Sequence, residues 1–290
     1  MINLKETDHL SARGFSKVRT IAITSGKGGV GKTNIATNLA MLFRRYKKRV
    51  LLIDLDLGLA NVDILLGLHP EYTLQDVIEG RKGIKDIIFR GPEGIMFVPG
   101  SSGIEELTNL TEAQKELLFR GFSELDEEVD IAIVDTGAGI SSNVLSFVLA
   151  ANEILLITTP EPTAITDAYA MIKVLSRKRK ELNIKLVVNL ANSREEAEST
   201  MRNISSVARR FLGIEIQYLG YILSDPNVTM ATRLQKSFVK EFPNTIAASC
   251  LNKMAVSFIN SDDGTQALGM EGYFRRLITE GQMDPLKLIS

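Results

Sequence analysis

Residues 26–33 read Gly-Lys-Gly-Gly-Val-Gly-Lys-Thr, and no other stretch limits the fold of this chain so tightly. The pattern G-x-x-x-x-G-K-[ST] makes a loop whose backbone N–H groups curl around phosphate oxygens. Gly26, Gly28, Gly29 and Gly31 leave room for that curl. Lys32 supplies a point charge to the β and γ phosphates, and the Thr33 hydroxyl is placed to ligate Mg²⁺. Val30 and Asn34 complete the segment expected to hold the nucleotide. The flanks agree with this reading. An apolar run, Thr20–Thr24, precedes the loop and a helical pattern, Asn34–Arg45, follows it. Strand, loop and helix in that order aim a helix N-terminus at the anion. The sequence therefore predicts an α/β fold with a nucleoside triphosphate at a strand's carboxyl end.

The rest of the chain repeats the same alternation. Strands are expected at Thr20–Thr24, Arg49–Asp54, Gly94–Val98, Asp130–Asp135, Glu153–Thr158, Ile184–Asn189 and Glu215–Leu223. Helices are expected at Asn34–Arg45, Thr73–Glu79, Glu112–Leu125, Val144–Ala150, Ile165–Glu181, Arg194–Leu212 and Pro243–Phe258. Near-continuous Val, Ile and Leu in the strands predicts burial on both faces, hence a mostly parallel, doubly wound sheet flanked by helices on both sides. The 290 residues, 44% hydrophobic and 24% charged, suffice for one large domain with a substantial core. We expect an N-terminal arm at 1–17, a core domain at 18–259 and a C-terminal extension at 260–290. The extension opens with Ser261-Asp262-Asp263-Gly264.

Charge and cysteine usage remove several classes. The balance of 34 basic and 35 acidic residues leaves a net charge of −1, so no general attraction to nucleic acid is expected. Two basic clusters, Arg44-Arg45 with Lys47-Lys48-Arg49 and Arg177–Lys180, fall at helix C-termini, where cations complement the macrodipole. They read as solvated helix ends. The single cysteine, Cys250, precludes an intrachain disulfide framework, fits a reducing cytoplasm and reads as a small buried hydrophobe. No apolar run approaches membrane-spanning length, and Met1–Lys17 lacks the apolar core of a signal peptide. His9 and His69 have no ligand-like spacing.

Hydrolysis needs carboxylates near the phosphates, and two strand ends supply them. The run Val50-Leu51-Leu52-Ile53-Asp54-Leu55-Asp56 places Asp54 and Asp56 two residues apart, on one face of an extended chain. The run Ile131-Ala132-Ile133-Val134-Asp135-Thr136-Gly137-Ala138-Gly139 ends an apolar strand in an acid, with glycines that let the next loop move. Asp63 reads as a helix cap. Asp56–Leu66 and Asp135–Ser142 follow these acids directly and are expected to respond to loss of the γ-phosphate. Thr163 and Asp167 open a helix near the same edge, as caps or interface groups.

The second loop lysine, Lys27, is not needed to build the loop, and with it the segment resembles the deviant phosphate loop KGGVGKT. That loop marks the family of MinD, ParA, the nitrogenase iron protein and FlhG. The segments LIDLDLGLANVDILLG, VDTGAGIS and TDAYAMIKVL resemble the FlhG/FleN group of MinD-like P-loop ATPases, across about residues 18–258. Thr136-Gly137, where MinD has a Ser-Pro pair, also favours FlhG over MinD. The single cysteine does not match the iron–sulfur branch.

The resemblance implies an ATP-dependent homodimer in which Lys27 reaches the partner subunit's phosphates. It further implies that Asp56 polarises the hydrolytic water, Thr33 ligates Mg²⁺ directly, and Asp54 and Asp135 hold the ion mostly through its waters. Asn189 corresponds to the adenine-reading asparagine. Ile222 is followed by Leu223 where the family often has proline, which leaves Asp225 and Pro226 as the further adenine candidates. Asp8-His9-Leu10-Ser11-Ala12-Arg13 departs from the family's GTPase-stimulating motif, so that activity is not expected. The implied function is a slow, Mg²⁺-dependent ATPase switch governing flagellar number or placement, with the flagellar GTPase FlhF or a transcription activator as partner. A MinD-type division-site regulator and a ParA-like DNA-segregation or transcription ATPase are the alternatives.

The C-terminal extension carries one more signal. Met270, Tyr273, Phe274, Leu277 and Ile278 recur at helical spacing, with Glu271, Arg275, Arg276 and Glu280 around them. This predicts an amphipathic helix at about 269–280, interfacial at an anionic membrane, docked on its own domain, or docked without ATP and released in the dimer. The resemblance implies the membrane role, hence a cytoplasmic protein with reversible inner-membrane association.

Overall fold

Alternation of side chains along each strand divides the apolar runs between two cores. In the computed structural model, Leu51, Ile53 and Leu55 of the second strand face one cluster, which also takes Ala132 and Val134. Val50 and Leu52 face the other, together with Ile131 and Ile133. A period of two thus turns a continuous hydrophobic run into a sheet buried on both sides. The structure describes residues 18–56, 62–100, 110–179, 181–261 and 267–281. The expected N-terminal arm at 1–17, residues 57–61 of the first expected switch, and Asp262-Asp263-Gly264 lie outside the described residues.

The strands are β1 (Arg19–Ser25), β2 (Val50–Leu55), β3 (Phe89–Arg90), β4 (Met96–Val98), β5 (Ile131–Ala138), β6 (Glu153–Thr158), β7 (Ile184–Ala191) and β8 (Gln217–Leu223). They form one sheet in the order β3-β4-β2-β5-β1-β6-β7-β8. Every pairing is parallel except β3 with β4. The helices are α1 (Lys32–Arg45), α2 (Val62–Leu66), α3 (Leu74–Ile78), α4 (Ile84–Ile87), α5 (Glu112–Ser123) and α6 (Ser142–Ala150). They continue with α7 (Pro162–Lys178), α8 (Arg194–Leu212), α9 (Pro226–Arg233), α10 (Phe238–Glu241), α11 (Ile246–Asn260) and α12 (Gly269–Gly281). Helices α1, α10 and α11 cover one face. Helices α5, α6, α7, α8 and α12 cover the other.

The seven expected strands are present, and the structure adds β3, a two-residue edge strand turned antiparallel against β4. It also adds the short helices α2, α4, α9 and α10. Within the basic clusters, Arg44 donates to Glu93 O and Lys48 O, Arg45 to Val239 O, and Arg179 to Leu149 O.

The C-terminal stripe takes the docked one of its expected places. Helix α12 lies in the groove between α5 and α6, and Met270, Tyr273, Phe274, Leu277 and Ile278 are all buried there. The Phe122 and Phe274 rings stack at 3.8 Å, and the Tyr273 hydroxyl donates to Phe147 O at 3.1 Å. Its backbone start is also held, with the Met270 N–H donating to Asp126 Oδ1 at 2.7 Å. Presenting these five side chains to lipid means withdrawing each from the core, at roughly 1.5–3 kcal/mol apiece. The sum rivals the whole stability of an ordinary domain. In this structure the amphipathic stripe is core.

Candidate functional site

The phosphate loop joins β1 to α1 beside the two acid-bearing strands. The register places Asp54 opposite Asp135 across β2 and β5, and Asp135 opposite Ile23 on β1. The loop is held from two sides. Gly26 packs so close to α7 that a Cβ there would sit 2.2 Å from Asp167 O. Gly31 has φ +93°, and a Cβ there would meet Asn189 Nδ2 at 2.4 Å. A side chain at either position would push the loop off its supports.

A pocket of about 410 Å³ opens at this edge. Gly28, Gly29, Gly31, Lys32, Thr33, Asn34 and Asp56, all expected site residues, line it, joined by Ile64, Leu65, Ala138 and Thr232. Those four carry no motif. Thr232 is placed by a hydrogen bond to Asn34 Oδ1 at 3.3 Å, and the 237–239 segment beyond it is tied to buried Asn38 by Ser237 Oγ at 2.7 Å and Val239 N at 3.1 Å.

Electrostatics mark the floor of the site. Lys32 is buried, and desolvation lowers its pKa, with Asp135 and then Asp56 pulling it back up. Asp135 is fully buried and its carboxyl is pushed up to about 8, first by desolvation and then by Asp54. Lys32 and the Thr33 hydroxyl act in the opposite sense, but no hydrogen bond of ordinary geometry reaches either Asp135 oxygen. Two orphaned buried carboxylate oxygens beside a threonine hydroxyl are a fitting hard-cation donor set. Among the described residues no group of three or more His, Cys, Asp or Glu could hold an ion alone.

Other expected site residues make contacts within the fold. Asp54 is buried, and its Oδ1 accepts from the Asp56 N–H at 3.0 Å and Oδ2 from the Val62 N–H at 3.3 Å. It therefore shapes the loop that carries Asp56. Val30 is buried in the core and gives its carbonyl to Asn189 Nδ2 at 2.8 Å, so this asparagine amide braces the phosphate loop. Asp225 caps α9, accepting from Asn227 N at 2.9 Å, and accepts from Ala247 N at the start of α11. Pro226 is the first residue of α9. None of Asn189, Asp225 and Pro226 lines the pocket. Lys27 does not line it either. Its ammonium donates to Glu161 Oε2 at 2.6 Å and Thr163 Oγ1 at 2.9 Å, at the start of α7. Thr163 thus receives a lysine, and the helix cap position belongs to Glu161.

A parallel sheet, a phosphate loop at its carboxyl edge and acids on the neighbouring strands define a nucleoside triphosphate-binding protein. The model of the "CobQ/CobB/MinD/ParA nucleotide binding domain" matches residues 21–238. The antiactivator FleN of Pseudomonas aeruginosa is 43% identical over 238 residues, covering 82% of this chain and 85% of FleN. The flagellum site-determining protein YlxH of Helicobacter pylori is 34% identical over 266 residues, covering 89% of each chain. Among solved structures, MinD of Pyrococcus horikoshii complexed with Mg-ADP superposes with a TM-score of 0.68 at 26% identity, covering 86% of this chain and 99% of MinD. The chain belongs to the MinD/ParA nucleotide-binding family, and within that family to the FlhG/FleN group.

Proposed function

We propose that this chain is an ATP-hydrolysing switch that regulates flagellar number or placement. The observation that carries the chemistry is the grouping of Asp56 and Lys32 in one pocket above Asp135, whose two buried oxygens have no hydrogen-bond partner. Similarity to FleN and YlxH, one an antiactivator and the other a flagellum site determinant, supports the flagellar assignment.

In this reading the loop N–H groups bind the phosphates and Lys32 neutralises charge developing on the β and γ oxygens. Asp56 orients a water for in-line attack on the γ phosphorus and takes up its proton. Thr33 and Asp135 would hold Mg²⁺, with Asp54 bonded to the backbone of Asp56 and Val62. When bound, Mg²⁺ screens the phosphate charge and aligns the transferred group. The partner is a second copy of this chain. Ile64, which lines the pocket, is 58% exposed, and Ile140 just after β5 and Leu190 near the end of β7 are 48% and 45% exposed, so apolar surface lies along the carboxyl edge of the sheet. Hydrolysis would loosen that pair and free a flagellar GTPase or transcription activator. Membrane contact through the α12 stripe is not part of this reading, because that stripe is core.

Steady-state ATPase assays with and without Mg²⁺ test the chemistry. Asp56→Ala is expected to bind ATP with near-parent affinity and hydrolyse it at least about 100-fold more slowly. Equal hydrolysis by the variant would reject the assignment. Affinity capture from a flagellated host with ATP and with ADP tests the biology. Recovery of MinC or MinE in place of a flagellar GTPase or activator would move the reading to division-site control.

A further inference from the structure

Two of the polar side chains that line the nucleotide pocket have no part in the chemistry proposed at the phosphates. They are Asn34, which follows Thr33 on α1, and Thr232, which reaches in from α9. The Thr232 hydroxyl lies 3.3 Å from Asn34 Oδ1 and 3.0 Å from Val228 O, and its one proton goes to one or the other. What it presents to a ligand is therefore lone pairs. With Oδ1 turned to Thr232, the Asn34 amide has its N–H donors left to offer. An ionised phosphate oxygen has no proton for those lone pairs, whereas a hydroxyl both gives and takes a hydrogen bond.

Their place in the fold agrees. Asp56 and Ala138 enter the pocket from the ends of β2 and β5, on one side of β1, and Asp56 marks the end where the γ-phosphate reacts. Thr232 enters from the other side, on the helix that follows β8. A nucleotide with its γ-phosphate at Asp56 and its other phosphates on the loop carries its sugar towards that second wall. The wall is also held in register. Buried Asn38, one turn beyond Asn34 on α1, donates to Asn34 O at 2.7 Å and accepts from Ser237 Oγ at 2.7 Å and Val239 N at 3.1 Å. We propose that Asn34 and Thr232 together read a hydroxyl of the nucleotide's sugar, so that the site takes ribonucleotides in preference to deoxyribonucleotides. Thr232 is then a specificity-determining residue, and the inference rests on the ATP reading of this pocket.

The test is equilibrium binding of ATP, 2′-deoxy-ATP and 3′-deoxy-ATP, each with Mg²⁺, measured by calorimetry. The parent is expected to bind ATP about ten-fold more tightly than one of the two analogues, the equivalent of one hydrogen bond. Thr232→Val keeps the shape and removes the lone pairs, and should shrink that ratio to about two-fold or less. Thr232→Ser keeps the hydroxyl and should keep the ratio. Asn34→Ala should shrink it as Thr232→Val does, and the double variant no further. General damage to the pocket weakens all three nucleotides alike and leaves the ratio unmoved, so the ratio isolates the sugar contact. If the parent binds all three equally, or if discrimination survives in Thr232→Val, the sugar assignment is wrong and the ATP reading stands. If the parent binds no ATP, the nucleotide reading itself falls, and the sugar assignment with it.

Discussion

Both ends of the central sheet bury an acid, and the two acids are treated in opposite ways. At the amino end, Glu153 is 2% exposed and fully engaged. Arg19 donates to it twice, at 2.8 and 3.0 Å, and buried Lys185 donates at 2.6 Å. The remaining Arg19 donor reaches Phe258 O and Ser261 O, and the Lys185 ammonium lies 4.5 Å from the Phe258 ring centre. At the carboxyl end, Asp135 is just as buried, yet neither oxygen accepts a hydrogen bond. Burial alone therefore does not mark the working site. A buried charge whose partners all belong to the fold is a fastener. One left without partners is held ready for something that arrives later.

The contrast can be broken in order of expected effect. Glu153→Ala removes the carboxylate shared by buried Lys185 and Arg19 and should cost about 3–5 kcal/mol of stability. That corresponds to a melting temperature lower by roughly 10 °C. Nucleotide affinity, measured by calorimetry, should change by less than about two-fold. Loss of ATP binding without loss of stability would erase the distinction between the two ends. Lys32→Ala should do the reverse. It removes a charge-assisted contact of about 2–3 kcal/mol, so ATP should bind about 30- to 150-fold more weakly. The ligand-free melting temperature should shift by only a few degrees.

The third prediction concerns pH. The Asp135 pKa is raised in the folded protein to about 8 from the ordinary 3.8. Folding therefore favours the protonated form, and its contribution is fully present below the unfolded value. It is lost as pH rises towards 8. Without nucleotide, stability should fall over that interval with a slope of at most about 1.4 kcal/mol per pH unit. Asp135→Asn should flatten the slope and raise the melting temperature at pH 8. Saturating Mg-nucleotide should abolish the slope in the parent, since a bound cation holds the carboxylate ionised. A slope unchanged in Asp135→Asn would assign the titration to another group.

The sequence made some of this legible and concealed the rest for physical reasons. The phosphate loop announced itself because its backbone geometry demands glycine and its chemistry demands Lys32 and Thr33. The long strands were readable as apolar runs, whereas β3 has two residues and α4 has four, too short for any periodicity to register. Asn189 and Asp225 showed the right residue types at the right edge. Their partners within the fold, Val30 O and the backbone of α9 and α11, include contacts far apart in sequence. Thr232 belongs to no motif and enters the pocket because α9 is tied across to Asn34. The α12 stripe was plain as a pattern, but a pattern names an apolar face without naming what covers it.

The docking of α12 also bears on the order in which the molecule can mature. It is the last of the described elements to be synthesised, yet its side chains complete a core begun by α5 and α6 more than a hundred residues earlier. Until it arrives, the groove holding Phe122 stays open to solvent. The Phe147 carbonyl, near the end of α6, lacks its tyrosine donor as well. A nascent chain stalled or cleaved before residue 269 would carry an intact phosphate loop on an unfinished body. Such a product is a client for chaperones and proteases. A defect caused by clipping this tail should therefore first be examined as a loss of protein abundance.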